Sequence, residues 1–160
     1  MVIEDFSGDA GTRWQFFTDQ VMGGVSEGQA RIVDHAGQTA LHLTGTVSTA
    51  NRGGFIQARR DLPEGLPPSA TGIGIEHSGD GGIYYIHLRT TRTVLPWQFF
   101  QAAFQTGPDW QETRLPFDAF TAKGRGLRAP LRPAEIRSIA IAAYGRDHQA
   151  DVKLARIATF

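Results

Sequence analysis

Short runs of β-favouring residues, separated about every ten residues by glycine, proline, aspartate or serine, constrain this chain more than any other feature of its sequence. Helical periodicity is almost absent, so the pattern predicts an all-β protein. The predicted strands are Val2–Phe6, Trp14–Thr18, Gln29–Val33, Thr39–Thr46, Gly54–Arg60, Thr71–Ser78, Ile83–Thr90, Gln98–Gln105, Gln111–Leu115, Ser138–Ala143 and Val152–Ile157. One helical turn is expected near Pro133, because proline and the following Glu135 favour a helix start.

The chain is expected to form one domain over residues 1–160. Both halves show the same pattern of short predicted strands, and 160 residues are an ordinary length for a single domain. The segment 61–69 contains three prolines and is predicted to be a crossover between strands rather than a domain boundary. The sequence His35-Ala36-Gly37-Gln38 is predicted to be a hairpin turn.

Composition excludes several classes of site and partner. The chain has no cysteine, which rules out disulfides, thiolate zinc sites and cysteine nucleophiles. Sixteen basic and sixteen acidic residues give a net charge of zero, so no global field attracts nucleic acid, and no nucleic-acid partner is predicted. The first residues show no basic, apolar leader, and no apolar run is long enough to span a membrane. A cytoplasmic location is therefore expected.

Two segments combine paired glycines with short polar side chains, and we predict that the rest of the chain is organised around them. The first, residues 19–26, is DQVMGGVS, and the second, residues 51–55, is NRGGF. Glycine pairs allow two backbones to approach closely, and short polar side chains can satisfy the buried amides of such a junction. We predict a structural junction at the edge of a sandwich, with Arg52 held by Asp19; a ligand pocket is the alternative. Its residues are Asp19, Gly23, Gly24, Ser26, Asn51, Arg52, Gly53 and Gly54.

These segments also carry a family resemblance. Together with Trp14, Gly79-Asp80-Gly81 followed by Tyr84, and Trp110 with Leu115-Pro116-Phe117, they resemble the complex I intermediate-associated protein 30 family in order and spacing. The resemblance implies a jelly-roll β-sandwich of the galactose-binding-domain type. For mitochondrial members it also implies a role in helping respiratory complex I to assemble. It brings no catalytic residues.

A second hairpin is predicted around residues 78–82, with Ser78 paired to Ile83. Directly paired residues share a face of the sheet, so this register places alternate apolar residues of both strands in the core. The opposite face would carry Glu76, Tyr85, His87 and Arg89. With Trp97, expected to be exposed at a loop rim, these residues form a possible ligand or partner face. An ordinary solvated sheet face is the alternative.

No catalytic, metal or cofactor site is predicted. Residues 24–28, GVSEG, match the hydrolase pattern Gly-x-Ser-x-Gly, but a strand rather than a helix is expected to follow. Ser26 is therefore predicted to bond to backbone rather than to act as a nucleophile. The five histidines form no metal-binding motif. Asp80, between glycines, leaves a structural calcium ion as an alternative to plain turn chemistry.

The sequence thus leads to three hypotheses. The first is a non-enzymatic binding or assembly module that contacts a protein partner. The second is a carbohydrate-binding module that uses the sheet face and Trp97. An enzyme comes third, because no acid, base and nucleophile converge in the sequence.

Overall fold

The computed structural model describes residues 1–160, and its strands follow the β-favouring runs of the sequence. The strands are β1 (Val2–Glu4), β2 (Trp14–Thr18), β3 (Glu27–His35), β4 (Gln38–Val47), β5 (Phe55–Asp61), β6 (Gly72–Gly79), β7 (Ile83–Thr90), β8 (Phe99–Gln105), β9 (Gln111–Pro116), β10 (Thr121–Lys123), β11 (Ile136–Tyr144) and β12 (His148–Thr159). Helical structure is limited to α1 (Ala10–Arg13) and to 3-10 turns at Asp19–Met22, Ala50–Arg52, Phe117–Ala119 and Pro133–Glu135. The all-β prediction and the turn at Pro133 are confirmed, whereas β10 was not predicted.

The strands form two antiparallel sheets that make a jelly-roll β-sandwich. The first sheet has the order β3-β4-β12-β6-β9, with β1 also paired to β12. The second sheet has the order β10-β8-β7-β11-β5-β2. The predicted turn at Ala36 and Gly37 joins β3 to β4, with His35 paired to Gln38 and both turn residues at positive φ. No helix of the protein has the length and apolarity that a membrane crossing requires.

The core lies between the two sheets, because alternate residues of each strand point inward. It is one apolar cluster to which both sheets contribute, for example Ile73 and Ile75 from β6 and Ile86 and Leu88 from β7. The proline-containing segment 61–69 crosses from the second sheet to the first, as predicted. Its backbone amides at Leu62 and Leu66 bond to Arg137 at the start of β11 and to Pro133 just before it, and the segment covers one end of the core.

The predicted hairpin between residues 78 and 83 is wrong. Strand β6 pairs with β12 and β9 in the first sheet, whereas β7 pairs with β8 and β11 in the second. The connection crosses the sandwich, and Thr106 fixes it by accepting a bond from Gly81 and donating one to the carbonyl of Gly82. The alternation of inward residues was predicted correctly, but the two sets of inward side chains face each other from opposite sheets.

Candidate functional site

The two glycine-rich segments meet at one edge of the sandwich. Strand β2 ends at Thr18, whose hydroxyl accepts a bond from the amide of Gln20 and caps the 3-10 turn. The turn ends at Gly23, which has a φ of 90°. Since this left-handed conformation favours glycine, the residue type lets the chain reverse here. The turn places the side chain of Asp19 beneath the second segment.

The carboxylate of Asp19 is fully buried and holds the two segments together. Its Oδ1 accepts the amide of Ser26 at 2.9 Å. Its Oδ2 accepts the hydroxyl of Ser26 and the amide of Gly54, both at 2.6 Å, and the amide of Phe55 at 3.3 Å. The hydroxyl of Ser26 in turn accepts the amide of Ser48 at 2.9 Å. One carboxylate thus connects β2, the start of β3 and the start of β5.

Burial acts to raise the pKa of Asp19, but its hydrogen bonds outweigh that effect. The bonds from the Ser26 hydroxyl and from the amides of Gly54, Ser26 and Phe55 lower the pKa of Asp19 below its ordinary value. The group is therefore ionised at neutral pH. Charge-assisted bonds of this kind are stronger than neutral ones, so the junction is a rigid part of the fold.

Two glycines are required here because the carboxylate leaves no room for a side chain. A Cβ on Gly24 would lie 2.3 Å from Cγ of Asp19, and one on Gly53 would lie 2.4 Å from its Oδ2. Gly54 instead has a positive φ of 128°. The glycine pairs thus serve both functions expected from the sequence, close approach and unusual backbone conformation.

Asn51 and Arg52 lie outside the junction, so the prediction that they belong to it is wrong. Both are exposed, and both have positive φ angles, 57° and 62°. Arg52 forms no ion pair with Asp19, because backbone amides and Ser26 already occupy the carboxylate. The side chain of Asn51 donates one long bond of 3.3 Å to the carbonyl of Gly23.

Above the junction, three apolar side chains point into solvent. Val21 is 73% exposed, Met22 is 56% exposed and Val25 is 49% exposed. We call these three residues the apolar crest. Single exposed apolar residues are common, but three within five positions form a local patch. The crest lies on the segment that Asp19 and Ser26 fix from below.

A second unusual surface covers the outer side of the second sheet. Register places Tyr85 of β7 beside Ala142 of β11 and Ala103 of β8, and His87 beside Ala140 and Gln101. We use the name aromatic face for the outward-pointing side chains of this sheet. Its rings belong to Phe17, Phe55, Tyr85, His87, Phe99 and Tyr144. Polar side chains such as Gln57, Arg59 and Gln101 lie among these rings, so the surface is mixed in character.

The rings contact one another across strands. His87 stacks on Phe99 with ring centroids 4.1 Å apart, and Tyr144 meets both Tyr85 and His87 edge-on, at 5.9 and 5.4 Å. Burial lowers the pKa of His87 to about 4, although its bond with Gln101 acts in the opposite direction. The imidazole is therefore neutral at pH 7, and its 2.9 Å contact with Gln101 orients it within the ring cluster.

Of the five residues predicted to form a ligand or partner face, three lie on the aromatic face, one lies on the other sheet and one lies in a loop. Tyr85, His87 and Arg89 point outward together from β7. Glu76 is on the outer side of the first sheet, across the sandwich, because β6 and β7 do not pair. Trp97 is 57% exposed in the loop before β8. Carbonyl groups of this loop accept hydrogen bonds from Arg89.

Sequence reasoning missed Phe17, Phe55, Arg59, Phe99 and Tyr144 as members of this face. The pairs Phe16-Phe17 and Phe99-Phe100 contained a usable signal, since neighbours in a strand point to opposite sides and one ring of each pair must face outward. Tyr144 and Phe55 could be placed only once β11 and β5 were known to pair.

Neither surface carries an assembled catalytic or metal centre. The Ser26 hydroxyl is buried against Asp19 and Ser48, with no histidine bonded to it. Asp80 accepts the amide of Gly82 and the hydroxyl of Tyr84, which is turn and core chemistry. No three histidine, aspartate or glutamate side chains converge in a way that could hold a metal ion.

Comparison with known proteins gives one family and one fold. The family model of complex I intermediate-associated protein 30 matches residues 5–155. A search of curated proteins finds no sequence relative. Among solved structures, the family 11 carbohydrate-binding module of a cellulosomal cellulase of Clostridium thermocellum is similar with a TM-score of 0.80 and 16% identity, over 100% of this chain and 93% of that one.

Two other structures extend the comparison. The Clostridium thermocellum family 11 module in complex with a β-1,3-1,4-mixed-linked tetrasaccharide has a TM-score of 0.78 and 16% identity, over 99% of this chain and 94% of that one. A family 30 carbohydrate-binding module has a TM-score of 0.56 and 12% identity, over 86% of this chain and 75% of that one. At these identities the likeness establishes the jelly-roll fold.

Proposed function

Because the chain belongs to the complex I intermediate-associated protein 30 family, we propose that it is a non-catalytic binding module that contacts a protein partner during respiratory complex I assembly. The contact is made through the apolar crest, Val21, Met22 and Val25. The observation that carries this proposal is the exposure of all three side chains on a segment held by a buried carboxylate.

The rigidity of the segment supports a binding role. A flexible loop loses conformational entropy when it binds, and this loss weakens the binding. A loop that is already held in its bound conformation avoids the loss. Asp19, before the crest, bonds to Ser26, after it, and Gly54 of the second segment bonds to the same carboxylate. Met22 adds an adaptable thioether side chain, of the kind that recurs at protein-binding surfaces. A fixed apolar patch with a polar surround fits the centre of a protein interface.

The proposal is tested by affinity purification from the native host. Wild-type protein and the double variant Val21→Ser/Met22→Ser serve as baits, and NADH:ubiquinone oxidoreductase subunits are quantified by mass spectrometry. We expect the subunits with the wild type and at least a tenfold loss with the variant. Val94→Ser is the control, since Val94 is 79% exposed and belongs to the same residue type but lies outside the crest. Absence of the subunits, or equal recovery with the crest variant, contradicts the proposal.

A second candidate function, carbohydrate binding, is favoured by the aromatic face. Sugars stack on aromatic rings through their apolar faces, and planar amide groups orient their hydroxyls. The face offers Tyr85, Phe99 and Tyr144 as rings and Gln57 and Gln101 as amides. The family 11 module described above holds its tetrasaccharide on the same fold.

Binding of a neutral mixed-linked β-glucan tetrasaccharide, measured by calorimetry, tests this candidate. Tyr85→Ala should weaken the binding about tenfold. Val2→Ala, which changes an exposed apolar residue of β1 in the other sheet, should not. If neither this sugar nor any of the acidic tetrasaccharides described below binds at millimolar concentration, the carbohydrate candidate is wrong.

A further inference from the structure

The aromatic face carries an excess of positive charge. The outward positions of the second sheet include three cationic side chains, Arg59, Arg89 and Lys123, and one carboxylate, Asp61. Asp61 is exposed and forms no ion pair with any of them. The chain as a whole has no net charge, so this excess is local to the face.

Other arginines of the protein are arranged differently. Arg13 and Arg60 both pair with the buried Glu4, and Arg92 pairs with Glu135 at 2.8 Å. On the outer side of the first sheet, Arg114 pairs with Glu112. Arginines without a carboxylate partner also occur elsewhere, for example Arg156 on the first sheet. What distinguishes Arg59 and Arg89 is that they share one sheet face with a cluster of aromatic rings.

Arg89 is partly buried at one end of the face. Its Nη1 donates to the carbonyls of Leu95 and Pro96 at 3.1 Å and of Gln98 at 2.8 Å. These bonds fix the guanidinium and leave Nε and Nη2 without a protein acceptor. Burial lowers the pKa of Arg89, and the charge of Arg59 acts in the same direction. A fixed, partly desolvated cation next to a second cation is stabilised by an anion.

Arg59 lies over a ring on the other side of β11. Its guanidinium carbon is 4.8 Å from the centroid of Phe17, and the group forms no hydrogen bond to the protein. Arg59 and His87 flank the same residue, Ala140 of β11, so two strand spacings separate them, about 10 Å. Ala140 has a small side chain. The rings of Tyr85 and Tyr144 lie further along the strands, on the side away from Arg89, and Phe99 lies on the neighbouring strand β8.

We infer that the aromatic face binds an acidic oligosaccharide, with Arg59 and Arg89 each contacting a carboxylate and the rings of the face stacking on neighbouring sugars of the same chain. This inference rests on the carbohydrate candidate and adds the charge of its ligand. The strands that carry Arg59 and Arg89, β5 and β7, are two strand spacings apart, about 10 Å, which exceeds one monosaccharide ring. The two arginines therefore suit carboxylates on different sugars of one chain. Each guanidinium can offer paired N–H donors to a carboxylate.

The test compares each acid with its own neutral form. Tetrasaccharides of glucuronate, mannuronate and galacturonate, and their full methyl esters, are titrated into the protein in a calorimeter at pH 7 and low salt. The ester keeps the sugar skeleton and removes the charge. We expect at least one acid to bind about tenfold or more tightly than its ester, and the difference to shrink at high salt.

Two variants locate the effect. Arg59→Gln should lower the affinity for the acid about tenfold and leave the affinity for the ester unchanged, because Arg59 forms no hydrogen bond that folding needs. Arg156→Gln removes one exposed, unpaired arginine from the outer side of the other sheet and should change neither affinity. Arg89 is less suitable for substitution because it also holds the loop carbonyls.

The possible failures are distinguishable. Equal affinity for acid and ester, or preference for the neutral β-glucan, overturns the acidic ligand while the carbohydrate candidate stands. If Arg156→Gln weakens binding of the acid and Arg59→Gln does not, the ligand does not bind on the aromatic face. No binding of any saccharide refutes the carbohydrate candidate and the inference together.

Discussion

Replacing Asp19 by asparagine tests how much of the fold depends on one carboxylate. The side chain accepts four hydrogen bonds, three on Oδ2 and one on Oδ1. Asparagine has a single acceptor oxygen. In its better orientation the oxygen replaces Oδ2, and the NH₂ group then faces the amide of Ser26.

The structure gives a magnitude for this change. One buried donor without an acceptor costs about 1–3 kcal/mol, and the two bonds of 2.6 Å lose their charge assistance, about 1 kcal/mol each. Burial of a neutral amide in place of a charge offsets part of this cost. We expect a net loss of about 3 kcal/mol in the free energy of unfolding. In a chain of this length, that corresponds to a decrease in Tm of roughly 6–12 °C.

The assay is thermal and urea unfolding of Asp19→Asn at pH 7, with Asp109→Asn as the control, since Asp109 is exposed and forms no hydrogen bond. The stabilising effect of Asp19 also has a pH dependence. Its pKa in the folded state is below the ordinary 3.8, so its contribution is complete above that value and is lost as pH falls through the folded-state pKa. The difference between wild type and variant should therefore shrink below about pH 4. A variant that melts with the wild type at pH 7 refutes the account of the junction.

Three further predictions concern stability. Gly53→Ala should destabilise the protein by about 2 kcal/mol, because its Cβ would lie 2.4 Å from Oδ2 of Asp19, whereas Gly11→Ala, with nothing within 4 Å, should be neutral or stabilising in urea unfolding. Asn51→Ala should cost only about 1 kcal/mol, since the residue is exposed and its one bond is 3.3 Å long; a loss above 3 kcal/mol contradicts this. Burial lowers the pKa of His77 from 6.5 to about 4, so protonation of this group should reduce the free energy of unfolding by up to about 3 kcal/mol as the pH falls from 6.5 to about 4. In His77→Gln the free energy of unfolding should depend less on pH over this range.

The strands could be predicted from the sequence because their signals are local. Alternating apolar residues and turn-forming glycines placed most strands within a few residues of their observed ends, and they identified the inward side chains of β6 and β7 correctly. Pairing is not local. The glycine-rich stretch from Gly79 to Gly82 has the composition of a hairpin turn, yet Thr106, distant in sequence, binds it and the chain crosses to the other sheet.

The same limit applies to the candidate sites. The short polar residues and glycines of the two segments predicted a close junction, but not which group would satisfy Asp19. Backbone amides of Ser26, Gly54 and Phe55 took the place assigned to Arg52. The aromatic face depends on the order of five strands, so its members from β2, β5, β8 and β11 could not be grouped from spacing alone.

Site-specific photo-crosslinking tests the central claim most directly. A photoreactive phenylalanine analogue replaces Met22 of the crest or, as a control, Ile83, which is 45% exposed at the start of β7. The protein is then irradiated in its native host, and crosslinked partners are identified by mass spectrometry. The account predicts crosslinks from position 22 to a subunit or assembly intermediate of NADH:ubiquinone oxidoreductase, and none from position 83. Crosslinks of equal yield from both positions, or none to complex I components from position 22, would contradict it.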